Sequence, residues 1–295
     1  MLTLPTPAST NVCSGLAGNN SQAGICIWGS GLDVDPFVTE HRKVLSVRKA
    51  VKDVSVTGFT VSNVHGAGIA IYGGQNTRIT SNKINNVDFS YGVLSAGSVN
   101  SIITKNDIPT TSASGSPGLI SICVDDFAGA RVFGNTVSDS IIGICIATPG
   151  AEIKGNTVTN TCIGAYIDPN VNGAQLHDNT FSNSSTTCAA FGAGAFGVVI
   201  GGASYNVVRN NLIEGQRNVG PVAGVAVLDE PCSGNPQSLS CVYLGRGVNA
   251  TGNAVRRNTF VDNDLDLLKS SVGADNLFVK NDCDTSIPIG LCKMG

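Results

Sequence analysis

The sequence predicts an all-β solenoid, a single domain in which short strands stack in successive coils. Two observations predict this fold: an asparagine motif that returns along most of the chain, and a Gly-opened strand pattern between its copies. In addition, the apolar spacing of i, i+3, i+4 that indicates helices is nowhere sustained. Each repeat is too short to bury an apolar face alone, so it must stack on its neighbours.

The asparagine motif consists of an apolar residue, two further positions, an asparagine, one further position and another apolar residue. Its clearest copies are GNTVSDS at 134–140 and GNTVTNT at 155–161. An asparagine tolerates the left-handed backbone of a tight corner, and its amide can bond the asparagines above and below. The motif therefore predicts a buried ladder at one corner, formed by Asn82, Asn106, Asn135, Asn156, Asn179, Asn211 and Asn258.

The second motif is a strand of alternating apolar residues, usually opened by glycine, such as GIAIY at 68–72 and GICIA at 143–147. Alternation places one face of each strand in the interior and the other outward. Winding one repeat per coil pairs each strand with the same strand of the next coil, ~4.8 Å away. The longer gaps at 106–135 and 211–258 are then predicted to be loops that leave the solenoid at one corner.

The N-x-[VI] turn followed by G-I-x-I resembles the repeat of the pectate-lyase-like and NosD-like superfamily. The resemblance covers residues 24–283 and implies a right-handed parallel β-helix of about ten coils. It implies no specific enzyme family, because that superfamily includes lyases, hydrolases, epimerases and non-catalytic proteins. Residues 1–23 and the tail at 284–295 are expected to cap the ends, since exposed strand edges would pair with other chains.

Charge and hydropathy limit the partners. The net charge of −3 and the pI near 5.5 give no basic footprint, so no nucleic-acid partner is expected. The chain has no run of about 18 apolar residues, so no membrane span is expected either. The sequence indicates no oligomeric state.

The ten cysteines indicate disulfides and an oxidising compartment, because the chain has no CxxC pair and only three histidines to form a zinc site. We predict the bonds Cys232–Cys241 and Cys283–Cys292, and the coil spacing also permits Cys123–Cys145. Glycosylation sequons begin at Asn19, Asn183 and Asn249. These observations predict a secreted glycoprotein, with a reduced cytosolic protein as the alternative.

The resemblance implies that an extended polysaccharide lies along the outer face of one sheet. The residues that directly follow the Gly-opened strands form one outward row: Trp28, Tyr72, Ala96, Asp125, Ala147, Asp168, Gly201 and Leu228. Aromatic rings stack on sugars, and paired carboxylates serve as acid and base. We therefore predict the catalytic residues Asp125, Asp126 and Asp168 and the substrate-binding residues Trp28, Tyr72 and Tyr166.

Asp125 and Asp168 are expected ~10 Å apart, two coils along the solenoid. Rotation of their side chains could then give the carboxylate separation of an inverting glycosidase. The Asp125-Asp126 dipeptide resembles polygalacturonases, but their Gly-His-Gly, Arg-Ile-Lys and Asn-Thr-Asp motifs are missing here. The alternative is that these aspartates only cap backbone amides in turns.

A lyase would instead need a base and a group that neutralises a uronate carboxylate, such as arginine or calcium. A row of basic residues lies two positions before successive ladder asparagines: Lys154, His177, Arg209 and Arg256. This row could bind an anionic polymer or could simply be a solvated face. The remaining histidines, His41 and His65, could each serve as a base, although lone histidines in turns usually have no special role. Second-choice residues are His65 and the acids Asp229 and Glu230 of the loop at 229–241. No metal site or cofactor is predicted, except calcium in the case of a lyase.

Three functions remain open at this point. The first is a secreted carbohydrate-active enzyme, a polysaccharide hydrolase or lyase that uses the outer row. The second is an isomerase or cyclase that binds a small molecule in the same groove, which an enclosed apolar pocket would favour. The third is a non-catalytic surface or adhesion module, which a featureless outer face would favour.

Overall fold

Short parallel strands make up almost all of the regular structure, as the repeat predicts. A computed structural model describes residues 2–3, 12–18, 21–35, 41–109, 118–218, 220–233 and 236–293. The chain divides into two compact units, residues 1–141 and 142–295. Three kinds of strand recur in each unit: sheet 1 contains the Gly-opened strands, sheet 2 the strands just before the ladder asparagines, and sheet 3 the strands just after them.

In the first unit, two long strands run through both sheet 3 and sheet 1; they are Thr60–Tyr72 and Lys83–Ala96. Sheet 1 also contains Gln22–Trp28 and Gly118–Asp125. Sheet 2 contains Ser55–Thr57, Arg78–Thr80, Ile102–Thr104 and Arg131–Phe133. Sheet 3 also contains Leu2–Thr3, Asp107–Pro109 and Thr136–Ser138. Outside these sheets are an antiparallel hairpin, Ser30–Val34 with Val44–Lys49, and a short parallel pair, Val51–Lys52 with Gly74–Gln75.

In the second unit, sheet 1 contains Ser140–Ile146, which begins two residues before the unit boundary, Ile163–Ile167, Ala195–Gly201, Val222–Leu228, Leu267–Lys269 and Ser286–Ile287. Sheet 2 contains Glu152–Lys154, Gln175–His177, Val207–Arg209, Ala254–Arg256 and Leu277–Val279. Sheet 3 contains Thr157–Thr161, Thr180–Ser184, Leu212–Glu214 and Thr259–Val261.

The described helices are short. They are the 3₁₀ turns Cys188–Phe191 and Leu291–Lys293 and one α-helix, Leu239–Leu244, which Ser238 caps by accepting from the Cys241 amide. This α-helix lies in the long gap that the repeat predicted only as a loop. None of the described helices is long and apolar enough to cross a membrane.

The apolar residues of the repeat form interior columns in each unit. In the first unit, Ile79, Ile103 and Val132 are register partners on adjacent strands of sheet 2 and are fully buried. The second unit continues the same pattern on its own sheet 2 with Ile153, Leu176, Val208, Val255 and Phe278. The parallel β-helix predicted from the repeat is therefore confirmed within each unit.

The asparagine ladder is also confirmed within each unit. The Oδ1 atom of each ladder asparagine accepts hydrogen bonds from the backbone amide and the side-chain amide of the asparagine one coil earlier. In the first unit the ladder joins Asn82, Asn106 and Asn135, and in the second it joins Asn156, Asn179, Asn211, Asn258 and Asn281. A further ladder in the second unit, which the motif did not predict, joins Asn206, Asn253 and Asn276.

One detail of the corner differs from the prediction. The left-handed backbone belongs to the residue before each ladder asparagine, as at Ser81 (φ 55°), Lys105 (φ 55°) and Gly155 (φ 62°). The asparagine itself is needed for its inward amide, which bonds along the stack. The two demands of the corner, a tight bend and an inward amide, are thus met by adjacent residues.

Disulfides fasten the loops, as the cysteine count predicts. The predicted bonds Cys232–Cys241 and Cys283–Cys292 are present, and the structure adds Cys13–Cys26 and Cys162–Cys188. The bond Cys123–Cys145, the glycosylation of the exposed Asn183 and Asn249, and the capping roles of residues 1–23 and 284–295 stay predictions. The sequon at Asn19 lies outside the described residues.

Candidate functional site

Sheet 1 of the first unit presents its strand ends as one row. Trp28, Tyr72, Ala96 and Asp125 follow one another in register across four neighbouring strands. The ring centroids of Trp28 and Tyr72 are 6.1 Å apart. The first-unit part of the predicted row therefore exists, with aromatic rings at one end and Asp125 at the other.

Residues 12–18 and 41–49 cover much of the outward face of this sheet. Leu16 and Val44 are buried there, and Val44 packs so closely on Gly97 that a Cβ atom would not fit at that glycine. Tyr72 is 0% exposed as a result, while Trp28 stays partly exposed. The prediction that the Tyr72 ring is open to stack on a sugar is therefore wrong for this structure, because a non-repeating segment folds over the row.

Asp125 lies at the centre of a group joined by hydrogen bonds and an ion pair, which we name the Asp125 cluster: Lys43, Asp125, His41 and Tyr91. His41 bridges the group, with Nε2 3.1 Å from Asp125 Oδ2 and Nδ1 2.8 Å from the Tyr91 hydroxyl. Lys43 Nζ lies 3.9 Å from Asp125 Oδ1. The side chain of Asp125 is 9% exposed and that of Lys43 is 42% exposed, so the cluster reaches solvent at this end.

Tyr72 lies beside this cluster, and its hydroxyl is unusual for a buried polar group. Its hydroxyl is buried and has no hydrogen-bond partner among the described residues. Burial, and secondly the negative charge of Asp125, raise the pKa of Tyr72 far above its usual value. A buried hydroxyl without a partner costs free energy, and a ligand or water that bonds it would remove that cost.

Asp126 points away from the Asp125 cluster and into the solenoid. Its Oδ1 atom accepts a hydrogen bond of 2.7 Å from Ser95, which contacts Ser101, which in turn contacts Thr77. Burial raises the pKa of Asp126 from 3.8 to about 6, partly offset by the Ser95 and Ser101 hydroxyls. The structure therefore places Asp126, a predicted catalytic acid, on the face opposite to Asp125, because strand alternation turns consecutive residues to opposite faces.

In the second unit, the strand ends of sheet 1 carry a different set of residues. Tyr166 donates a 2.5 Å hydrogen bond to Glu230, so one predicted binding residue and one second-choice acid come together. Asp168 is partly buried, and its amide donates to the Ile146 carbonyl at a turn. The pairing of Asp125 with Asp168 as acid and base stays a prediction.

The outward face around Tyr166 is apolar. Phe196, Val199, Ala223 and Ala226 form a buried cluster there, and Tyr166 packs against it. The other acid of the nearby loop, Asp229, has a structural role. Its carboxylate accepts hydrogen bonds from the backbone amides of 250 and 272 and from a serine hydroxyl.

The predicted basic row is present on sheet 2 of the second unit. Lys154, His177, Arg209 and Arg256 are register partners on four adjacent strands. His177 is buried between two carboxylates, with Nδ1 2.9 Å from Asp178 and Nε2 3.3 Å from Glu152.

The hydrogen bond and charge of His177 lower the pKa of Asp178. Lys154, Arg209 and Arg256 have no ion-pair partner within 4.0 Å among the described residues. These three cations are thus available to an anionic ligand.

His41 is the histidine of the Asp125 cluster. His65 is exposed on the strand Thr60–Tyr72, outside the row of strand ends. Sequence reasoning missed Lys43, which belongs to no repeat position, and Tyr91, which lies in a repeat strand in register with Ala67 and Ile120. The one available signal was the concentration of polar residues in EHRK at 40–43, directly before an apolar strand.

Two protein-family models match the chain. One, described as periplasmic copper-binding protein (NosD), matches residues 8–194, and the other, described as right handed beta helix region, matches residues 118–287. No curated protein sequence matches significantly.

Solved structures are similar in fold at low sequence identity. A mutant tailspike protein of E. coli bacteriophage HK620, in complex with a pentasaccharide, has a TM-score of 0.61 at 14% identity over 80% of this chain. DFA-IIIase from Arthrobacter chlorophenolicus A6, in complex with GF2, has a TM-score of 0.58 at 16% identity over 88%. A mutant of the periplasmic alginate epimerase AlgG has a TM-score of 0.53 at 13% identity over 76%. The chain spans 45%, 61% and 50% of these three proteins, respectively.

Proposed function

The chain belongs to the NosD and right-handed β-helix families, and from this premise we propose that it is an exported enzyme that cleaves an acidic polysaccharide by elimination at Asp125. The observation that carries the proposal is the bridge of His41 between Asp125 and Tyr91, beside Lys43. Two similar structures support a carbohydrate substrate, since one holds a pentasaccharide and another is an alginate epimerase. The disulfides and the periplasmic description of the NosD model support export.

Elimination from a uronate requires one proton transfer and one neutralised carboxylate. A base removes the proton at C5, a double bond forms between C4 and C5, and the C4–O bond breaks. The electron pair leaves on the oxygen, which then takes up a proton. Proton transfer by positioned side chains accelerates such steps by ~10²–10⁴-fold.

The Asp125 cluster offers a group for each part of this step. Asp125 is the acid at the solvent end, so its carboxylate would accept the C5 proton and return it to the leaving oxygen. His41 would orient the Asp125 carboxylate through its Nε2 atom, and Tyr91 would hold the His41 ring through its Nδ1 atom. The Lys43 ammonium group would neutralise the uronate carboxylate as a point charge. In the calcium-dependent lyase considered in the sequence analysis, calcium would have this role.

Elimination fits the first unit better than hydrolysis by two neighbouring carboxylates. Asp126, the other acid of the dipeptide, points inward to Ser95 and cannot share a substrate with Asp125.

The copper of the NosD description does not fit the residues that the structure describes. Copper(I) prefers thiolate and thioether ligands. The described cysteines are never free, and both methionines lie outside the described ranges. The described part of the chain also has no group of three His, Cys, Asp or Glu that could hold a metal ion. We therefore assign no copper centre to this part of the chain.

A second candidate function is the binding of an anionic polymer without turnover. It is favoured by the basic row of the second unit, where Lys154, Arg209 and Arg256 lie in register without ion-pair partners among the described residues. Carboxylates along a polymer could bind such a row, and salt would weaken that binding.

The test is a panel of acidic polysaccharides, including polygalacturonate and alginate, incubated with the full chain. Elimination is followed by the ultraviolet absorbance of the unsaturated product, and hydrolysis by new reducing ends without that absorbance. We expect unsaturated product from one acidic polymer and a loss of ~100-fold or more in Asp125→Asn.

Asp107→Asn is the matched control, because Asp107 is an exposed acid of the same unit whose ion pair with Lys83 is also exposed. Its rate should equal that of the wild type. Hydrolysis without unsaturation, or binding without any cleavage, would contradict the proposal.

A further inference from the structure

Sheet 2 of the first unit carries a polar concavity on its outward face. It is a groove of about 410 Å³, within the size range of small-ligand sites. We name it the Arg78–Arg131 groove, and its lining residues are Asp53, Val54, Ser55, Asn76, Arg78, Asn100, Ile102 and Arg131. Neither the sequence motifs nor the proposed function assigns it a role.

Two arginines define the charge of this groove. Arg78 and Arg131 are both exposed, and each is the register partner of Ile102 on the strand between them. The strand of Ile102 separates their two strands, so the backbones of Arg78 and Arg131 lie ~10 Å from one another, twice the distance between neighbouring strands. Neither arginine has an ion-pair partner within 4.0 Å among the described residues, so both guanidinium groups are available to an anion.

Beside the arginines runs a line of side chains that accept and donate hydrogen bonds. Asn100 donates to Asn76, with Nδ2 3.2 Å from Oδ1, and Asn76 donates to Asp53 at 3.0 Å. All three have left-handed backbones, with φ between 55° and 59°, which keeps their side chains in one line along the coils. Carboxylate and amide oxygens accept from hydroxyl groups, so this line complements a polyol.

We propose that the Arg78–Arg131 groove binds an acidic oligosaccharide that carries an anionic group on every second sugar. Each guanidinium would bind one anionic group through a bidentate pair of hydrogen bonds. Ile102, which separates the arginines, supplies an apolar surface for the intervening neutral sugar. The line from Asp53 to Asn100 would accept from sugar hydroxyls. This site is on sheet 2 and does not depend on turnover at Asp125.

Isothermal titration calorimetry of the full chain tests this inference with oligosaccharides of equal length. The probes are a hyaluronan octasaccharide, with a carboxylate on every second sugar, an octagalacturonate, with one on every sugar, and neutral maltooctaose. A chondroitin sulfate octasaccharide distinguishes sulfate from carboxylate recognition. The variants are Arg78→Ala/Arg131→Ala and the control Lys83→Ala, which removes an exposed cation from a strand outside sheet 2.

We expect an alternating oligosaccharide to bind about tenfold more tightly than octagalacturonate, since the intervening sugar of octagalacturonate would place an additional carboxylate against the apolar Ile102 without a cationic partner. The double variant should bind it about tenfold more weakly or lose one binding site, and Lys83→Ala should bind as the wild type does. Unchanged binding by the double variant would overturn the inference. Preference for octagalacturonate, or equal binding of neutral maltooctaose, would also overturn it. The proposed elimination at Asp125 is measured separately as unsaturated product, so either idea can fail alone.

Discussion

The strand ends of sheet 1 differ between the two units, although the strands themselves follow the same repeat. In the first unit they carry the Asp125 cluster, in which His41 bridges Asp125 and Tyr91. In the second unit they carry Tyr166, bonded to Glu230, next to an apolar group that includes Val199. Both units keep the same interior, with buried apolar columns and stacked asparagines.

This difference shows which positions the solenoid constrains. Inward residues must fill a column and bond to the coils beside them, so the repeat determines them in both units. Outward residues meet only what covers them, so the same strand can end in an acid–base cluster or in an apolar surface. The function of a protein with this fold must therefore be inferred from its outward residues and from the segments that cover them.

The largest effect is expected from removing one tyrosine hydroxyl in each unit. Tyr91→Phe should lower the rate of elimination by ~100-fold, because His41 Nδ1 loses its hydrogen-bond partner and the ring that positions Asp125 is no longer held. Tyr166→Phe also removes one hydrogen bond, to Glu230, but should leave the rate close to that of the wild type. Initial rates of unsaturated product decide the matter. A larger loss in Tyr166→Phe would place the chemistry in the second unit, and equal losses would contradict its assignment to the Asp125 cluster.

The second prediction concerns the buried acid of the first unit. The pKa of Asp126 is about 6 in the folded protein against an ordinary value of 3.8, so folding favours its protonated form. The destabilisation by its ionised form is absent below about pH 4, grows as pH rises, and is complete above about pH 6. Asp126→Asn removes it and should raise the free energy of unfolding by about 3 kcal/mol at pH 8 but by almost nothing at pH 4.

Urea unfolding at the two pH values measures this difference. Asp107→Asn is again the matched control, because Asp107 is exposed and its stability effect should not change across this range. A gain for Asp126→Asn that is equal at pH 4 and pH 8 would show that ionisation of Asp126 is not its source.

The third prediction tests whether the interiors of the two units are equivalent. Asn106→Leu in the first unit and Asn156→Leu in the second should each lower the free energy of unfolding by ~1–3 kcal/mol, since each leaves buried amide partners unbonded. Denaturant unfolding measures both. A loss in only one variant would mean that the ladder supports one unit and is dispensable in the other.

How much of this could be predicted from the sequence differs between interior and surface. The ladder of Asn82, Asn106 and Asn135 was predictable because each asparagine bonds its equivalent one coil away, which forces the same residue to recur. The second ladder, with Asn206, was missed because the motif was built on one corner only. The inward direction of Asp126 was available from the alternation of the strand before it.

The Asp125 cluster could not be predicted as a unit. His41 lies 84 residues from Asp125 and 50 residues from Tyr91, and it belongs to a segment that repeats nowhere in the chain. Periodicity carries no information on where such a segment folds. The burial of Tyr72 escaped prediction for the same reason, since residues 12–18 and 41–49 cover the row from outside.

The smallest effect is expected at a corner. Lys105 has a left-handed backbone (φ 55°), which strains any residue with a Cβ atom, whereas the equivalent corner at Gly155 is relaxed. Lys105→Gly should therefore change the free energy of unfolding by at most about 1 kcal/mol, in the stabilising direction. Thermal unfolding of Lys105→Gly beside Gly155→Ala, which should be destabilised, measures it. Destabilisation of Lys105→Gly would mean that its side chain contributes more than the strain costs.

The most direct test of the central claim is a crystal structure of Asp125→Asn soaked with the acidic oligosaccharide that the wild type degrades. The account predicts a sugar at the strand ends of the first unit, with its carboxylate within hydrogen-bond distance of Lys43 and a ring against Trp28. An oligosaccharide that occupies only the basic row of the second unit, with the bridge from His41 to Tyr91 undisturbed, would contradict it.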